Sequence, residues 1–222
     1  MNIAEFQRWL IARGAAITAD GVAGPKTRAA IAQVFTNQRP PKVTTAELAG
    51  YARRIGITEK QMRAIAAVES SGGAFDRFGR PKILYERHIF HRQTQGRNSV
   101  QAFSNPTPGG YSEDSWGKLA AAAAVNPVAA FASCSWGKFQ VMGYHAVALR
   151  YGGGPLELAY STVLSEAGSY EALCRYILVN ALGDEARQLS TNPEDCRAFA
   201  RAYNGPAYAA GDYHGKLARA MR

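Results

Sequence analysis

Acidic residues are scarce in this 222-residue chain: 17 Asp and Glu stand against 26 Lys and Arg, a formal net charge of +9. Such an imbalance suits a polyanionic partner, whether nucleic acid, an anionic membrane or an acidic cell-wall polymer. Cysteine is scarcer still. Cys134, Cys174 and Cys196 cannot all pair within one chain, and no CxxC or Cys/His spacing accompanies them. A disulfide framework and a structural zinc site are therefore excluded, leaving buried or free thiols of a protein made in a reducing cytosol. Long apolar runs are missing too. The most apolar stretch, residues 119–132, is broken by Asn126-Pro127 and is too short to span a bilayer. The N-terminus lacks a basic head, apolar run and small-residue cleavage site, so no signal peptide is read and export needs another route.

Other chemistries are excluded by missing patterns. No nucleophile elbow surrounds any serine, and Gly152-Gly153-Gly154 is not a phosphate-binding loop. His88 and His91 are three apart, but no third ligand follows at suitable spacing, so no metal and no cofactor are expected. No nucleic-acid-reading motif accompanies the positive charge, and a nucleic-acid partner is not expected. What is present is a 47% hydrophobic, 19% charged composition that can bury a sizeable core. Eleven of the 26 basic residues lie between residues 41 and 100, against five acidic ones. The basic tail with Lys216, Arg219 and Arg222 reads as a solvated terminal helix, with contact to anionic envelope components as the alternative.

The Pro40-Pro41 pair within residues 36–42 cannot continue a helix and marks a stiff connector. It divides residues 1–38 from a main domain at 45–222, with a linker at 39–44. In the first part, Ile3, Phe6 and Leu10 recur at helical spacing, Gly14 stops that helix, Asp20-Gly21 forms a turn and Pro25 opens a second helix. So thin a core leans on a neighbour. In the main domain Thr45 is expected to cap one helix ending at Gly56, and Thr58 the next, which runs into Glu69-Ser70-Ser71-Gly72-Gly73. A hairpin is expected over residues 74–86, then mostly helix interrupted by a polar loop from 93 to 115 that serves as lid or binding loop. The fold class is mainly α with one small β-hairpin.

Glycosidic cleavage needs a protonated acid on the leaving oxygen and a second group that activates water or steadies the developing cation. Glu69 fits the acid. It ends a helix, where the dipole gives a carboxylate no support, and apolar neighbours raise its pKa. Glu86, 17 residues on, is expected to return to the same cleft on the hairpin. The plainer alternatives are a surface glutamate for Glu69 and a salt bridge to Arg87 or another nearby cation for Glu86. Gln140, in the run Ser133-Cys134-Ser135-Trp136-Gly137-Lys138-Phe139-Gln140-Val141-Met142-Gly143, offers donor and acceptor to a sugar. Ala202-Tyr203-Asn204-Gly205, with Tyr208, Tyr213 and His214, offers aromatic faces and amides, although Trp136, Phe139 and Tyr203 also suit a core.

Together these runs resemble the lysozyme superfamily, near goose-type lysozymes and lytic transglycosylases. The strings Ala67-Val68-Glu69-Ser70-Ser71-Gly72-Gly73-Ala74-Phe75 and Leu84-Tyr85-Glu86-Arg87-His88-Ile89-Phe90 are similar to the N-acetylmuramidase family of modular phage endolysins. That resemblance implies a lysozyme-like fold and cleavage of the β-1,4 bond between N-acetylmuramic acid and N-acetylglucosamine. It puts the acid on Glu69 and a second glutamate on Glu86, with Ser135, Gln140, Tyr144, Tyr203 and Asn204 in the substrate cleft. It further implies a monomer that is made in the host cytoplasm and reaches the wall once the membrane is permeabilised. Residues 1–38, through Phe6, Asp20, Gly21, Gly24 and Thr27, resemble a peptidoglycan-binding module, though Ala23 replaces that family's usual aromatic. Two alternatives stay open: a lytic transglycosylase leaving anhydro ends, and a non-catalytic wall-binding protein.

Overall fold

The structure is a computed structural model that describes residues 1–69 and 73–222; Ser70, Ser71 and Gly72 of the serine-glycine run lie outside the described residues. The described residues form α1 (Ile3–Ile11), α2 (Pro25–Val34), α3 (Thr45–Ile55), α4 (Glu59–Glu69), β1 (Ile83–Tyr85), α5 (Arg87–Gln93), α6 (Ser115–Ala123), α7 (Pro127–Ala132), β2 (Cys134–Trp136), β3 (Val141–Met142), α8 (Gly154–Leu164), α9 (Glu166–Val179), α10 (Gly183–Arg187), α11 (Arg197–Asn204) and α12 (Tyr213–Ala220). The mainly helical class is as expected. None of these helices is long and apolar enough to cross a membrane.

Local chemistry explains most boundaries. Asn2 and Glu5 close a capping box at the start of α1, and Pro25 takes the first position of α2. The cap of α3 is Thr44 rather than Thr45, because Glu47 stands three residues after Thr44 and reaches back to its backbone N–H. Gly56 ends α3 at φ 76°, the left-handed conformation glycine adopts without strain. Thr58 accepts from the Gln61 N–H while Gln61 answers with its own carbonyl, and this opens α4.

The sheet departs from expectation. The hairpin over residues 74–86 shrinks to one bridge, Phe75 to Pro81, around a turn held by the Asp76 carboxylate, which accepts from the Phe78 and Arg80 N–H groups. The bridge is closed on either side by the Asp76 N–H to the Arg80 carbonyl and the Lys82 N–H to the Ala74 carbonyl. Residues 83–85 instead pair antiparallel with β2, Tyr85 opposite Cys134, and β2 turns back through residues 137–140 into β3. The segment expected to approach a ligand is thus a hairpin at the centre of the domain.

Residues 1–36 and the main domain share one core. The Phe35 ring, fully buried at the end of α2, lies 5.2 Å from Phe131, 5.8 Å from both Trp116 and Trp136, and 6.1 Å from Trp9. Arg13 lies over the Trp9 ring at 3.8 Å and pairs with Glu157 of α8 at 2.7 Å. The connector is strapped down as well. Asn37 donates its N–H to the Gly79 carbonyl and its amide to the Val163 and Leu164 carbonyls, and the Pro41 carbonyl accepts from Glu166. Gly79 has φ 77°, and a Cβ there would collide with the Asn37 carbonyl. Phe35→Ala should therefore destabilise the whole chain by about 3–5 kcal/mol in one cooperative denaturant transition. A biphasic transition, with the main domain melting unchanged, would contradict the shared core.

Candidate functional site

Glu69 is the last residue of α4, whose Met62, Ile65 and Ala66 are buried and which packs against α12. Its side chain sits half-buried at the waist between two cavities. One, of about 500 Å³, is charged and polar, with Asp76, Arg80, Lys82, Asp114 and Trp116 on its walls. The other, of about 270 Å³, is aromatic, with Tyr144, His145, Tyr176, Tyr203 and Asn204. Glu69 and Gln140 line both.

Burial pushes the Glu69 carboxyl above the ordinary glutamate range, and the Tyr213 hydroxyl, which donates to Oε1, opposes that shift. The negative end of the α4 dipole acts with the burial. Tyr213 and Tyr203 are themselves raised, by burial first and then by the charge of Glu69. His145 is lowered by burial and is neutral at neutral pH. A carboxyl shifted towards its protonated form, flanked by aromatic surface on one side and polar groups on the other, has the setting of a proton donor to an oxygen held between the two cavities.

The structure brings Glu69, Gln140, Tyr144, Tyr203 and Asn204 together around this cleft. The Gln140 amide is already engaged: it donates to the Gly137 and Lys82 carbonyls and accepts from Ser135 Oγ at 2.6 Å. Ser135 is buried and lines neither cavity, so it holds Gln140 rather than facing the cleft. Tyr203 donates to the Phe139 carbonyl and stacks on Phe199.

Glu86 is not brought to the cleft. It lines neither cavity, because the chain leaves β1 at Tyr85 and turns into α5, with Glu86 at its cap position. Its Oε2 accepts from the Tyr111 hydroxyl at 3.0 Å and lies 3.2 Å from His88 Nδ1. Two other carboxylates line the larger cavity. Asp76 is tied to Arg80 at 2.8 Å, and Asp114 caps α6 through the Trp116 N–H. Neither stood out in the sequence, because turn and cap aspartates are common. The bond from Tyr213 to Glu69 was also hidden, since it joins residues 144 apart.

In the N-terminal part, the named residues mainly build structure. Phe6 is buried edge-on against Phe131. Gln7 donates to Asp20 and Thr27 and accepts from the Gly21 N–H, while Gly24 is the cap of α2. Asp20 and Thr27 also border a separate hollow of about 520 Å³ with Ile17 and Lys26.

Residues 58–222 match the N-acetylmuramidase family. The chain belongs to that family. This muramidase is accordingly a glycoside hydrolase with peptidoglycan as its substrate. Its structure is similar to the crystal structure of Burkholderia AP3 phage endolysin, with a TM-score of 0.73 and 32% identity, over 99% of this chain and 93% of that one. No curated protein sequence matches it. Because the Tyr213 hydrogen bond favours the ionised Glu69 carboxyl, Tyr213→Phe should raise the Glu69 pKa further. A kcat/KM limb governed by this carboxyl should then move to higher pH. A limb that moves down would contradict this account.

Proposed function

We propose that this muramidase is a phage endolysin in which Glu69 is the general acid. The carrying observation is the half-buried Glu69 carboxyl, raised by desolvation, on the wall that two neighbouring cavities share. It protonates the oxygen that leaves N-acetylmuramic acid as the β-1,4 bond to N-acetylglucosamine breaks, and the resulting cation is captured by water. Tyr144, Tyr203 and Asn204 offer stacking and hydrogen-bonding surface to one sugar, and the charged cavity takes its neighbour. The protein works as a monomer, synthesised in the host cytoplasm and acting on the wall after the membrane is permeabilised. Residues 1–38 hold it on the polymer, supported by the hollow beside Asp20 and Thr27. The positive excess favours encounter with anionic envelope components and fades with salt.

Glu69→Gln should abolish clearing of permeabilised cells while leaving wall binding unchanged. A carboxylate whose folded pKa is raised stabilises the fold below its unfolded pKa, and that contribution is lost as pH rises through the folded value. Glu69 is thus unfavourable to folding at neutral pH, and the glutamine variant should melt no lower than the parent. Mass spectrometry of muropeptides released by the parent should show reducing N-acetylmuramic acid ends. Full activity in Glu69→Gln, or anhydro ends from the parent, would overturn this mechanism.

A further inference from the structure

The string Tyr85-Glu86-Arg87 meets the long loop, residues 94–114, at three successive points. The Tyr85 hydroxyl donates to the Phe103 carbonyl at 2.9 Å. Glu86 accepts from the Tyr111 hydroxyl at 3.0 Å. Arg87 donates from Nε to the Thr107 carbonyl at 3.0 Å and from its guanidinium to that of Pro108 at 3.4 Å. The loop continues into Asp114, Ser115 and Trp116, which form one wall of the larger cavity, and Ser115 Oγ accepts from the Tyr85 N–H. Three consecutive residues thus hold a loop that ends in the cleft, while Lys118 of α6 takes its last turn by donating to the Gly110 carbonyl and pairing with Glu113, and Ser104 meets His91.

We propose that Glu86 is a positioning residue that acts through Tyr111, and that Tyr85-Glu86-Arg87 is a clamp fixing the substrate-facing wall at residues 114–116. This rests on the cleft around Glu69 being the muramidase site. The three contacts differ in strength. Tyr85 is fully buried and Phe103 nearly so, whereas Tyr111 is 50% exposed. The buried contact is a fixed anchor. The Tyr111–Glu86 bond is the exposed outer catch, and its release loosens the stretch between the Arg87 contacts at Thr107 and Pro108 and the Lys118 contacts at Gly110 and Glu113. A carboxylate is the natural acceptor here, since a hydrogen bond to a charged group is stronger than one between neutral groups. Glu86 thus affects how the glycan is held rather than how its bond is cleaved.

The test compares Glu86→Gln, Tyr111→Phe and Glu69→Gln in the full chain, with kinetics on solubilised peptidoglycan chains and hydrogen exchange of the loop amides. Tyr111→Phe should raise KM by about tenfold, the scale of one hydrogen bond to a charged group. It should leave kcat within about twofold and speed exchange across residues 105–113. Glu86→Gln, whose amide oxygen still accepts from Tyr111, should fall between parent and Tyr111→Phe in both readouts. Loss of kcat in Glu86→Gln comparable to that in Glu69→Gln, with loop exchange unchanged, would make Glu86 a catalytic group and overturn the proposal. Parent-like KM and loop exchange in Tyr111→Phe would overturn it as well. Activity surviving in Glu69→Gln would instead locate the failure in the site assignment, since loop exchange does not depend on turnover.

Discussion

The packing of α12 across the end of α4 is the constraint on which the rest of the structure depends. It buries the last residue of α4 enough to penalise a charge there, and it supplies the hydroxyl of Tyr213 that limits the penalty. Burial and the helix dipole favour the protonated carboxyl, and one hydrogen bond favours the ionised form. The carboxyl is held between these influences, with burial the larger. The same packing leaves Glu69 open on two sides, and the sheet, the loop and the tail then shape the cavities on either side of it.

The aromatic cluster around Phe35 extends this constraint to the N-terminal part. Trp116 lines the larger cavity and also packs on Phe35, so a ring contributed by the first 36 residues backs a wall of the cleft. Asn37 does the same for the turn that carries Asp76 and Arg80. Residues 1–43 therefore brace the walls of the cleft. In the proposed wall-binding role, such a braced part would hold the polymer at a set position relative to the cleft, unlike a module on a loose tether.

Much of this was legible in the sequence wherever the cause is local. The Thr58 cap, Pro25, Gly56 and the apolar spacing of α1 to α4 follow from residues a few positions apart, although the α3 cap falls on Thr44, one residue before the expected Thr45. The misreadings share a physical origin. Residues 83–85 pair with a strand some 50 positions later, and a single-chain pattern cannot tell that partner from the nearby segment at 74–76. Glu86 was expected at the cleft because a simple hairpin would return it there; with β1 paired to β2, Glu86 instead takes the cap position of α5 and bonds to Tyr111. Gln140 does line the cleft, yet its polar atoms are used on Ser135 and on the turn, and Ser135 itself is buried behind it. Tyr213 needed the tertiary packing to reveal its partner.

In the proposed mechanism a glycan strand lies across both cavities with its scissile oxygen at Glu69. A crystal structure of Glu69→Gln soaked with a muramic-acid-containing oligosaccharide tests it most directly. One ring should stack among Tyr144, Tyr176 and Tyr203, the next should lie between Lys82 and Trp116, and the linking oxygen should sit within hydrogen-bond distance of the residue 69 amide. Sugar rings bound elsewhere, with the residue 69 side chain out of reach of any glycosidic oxygen, would contradict it.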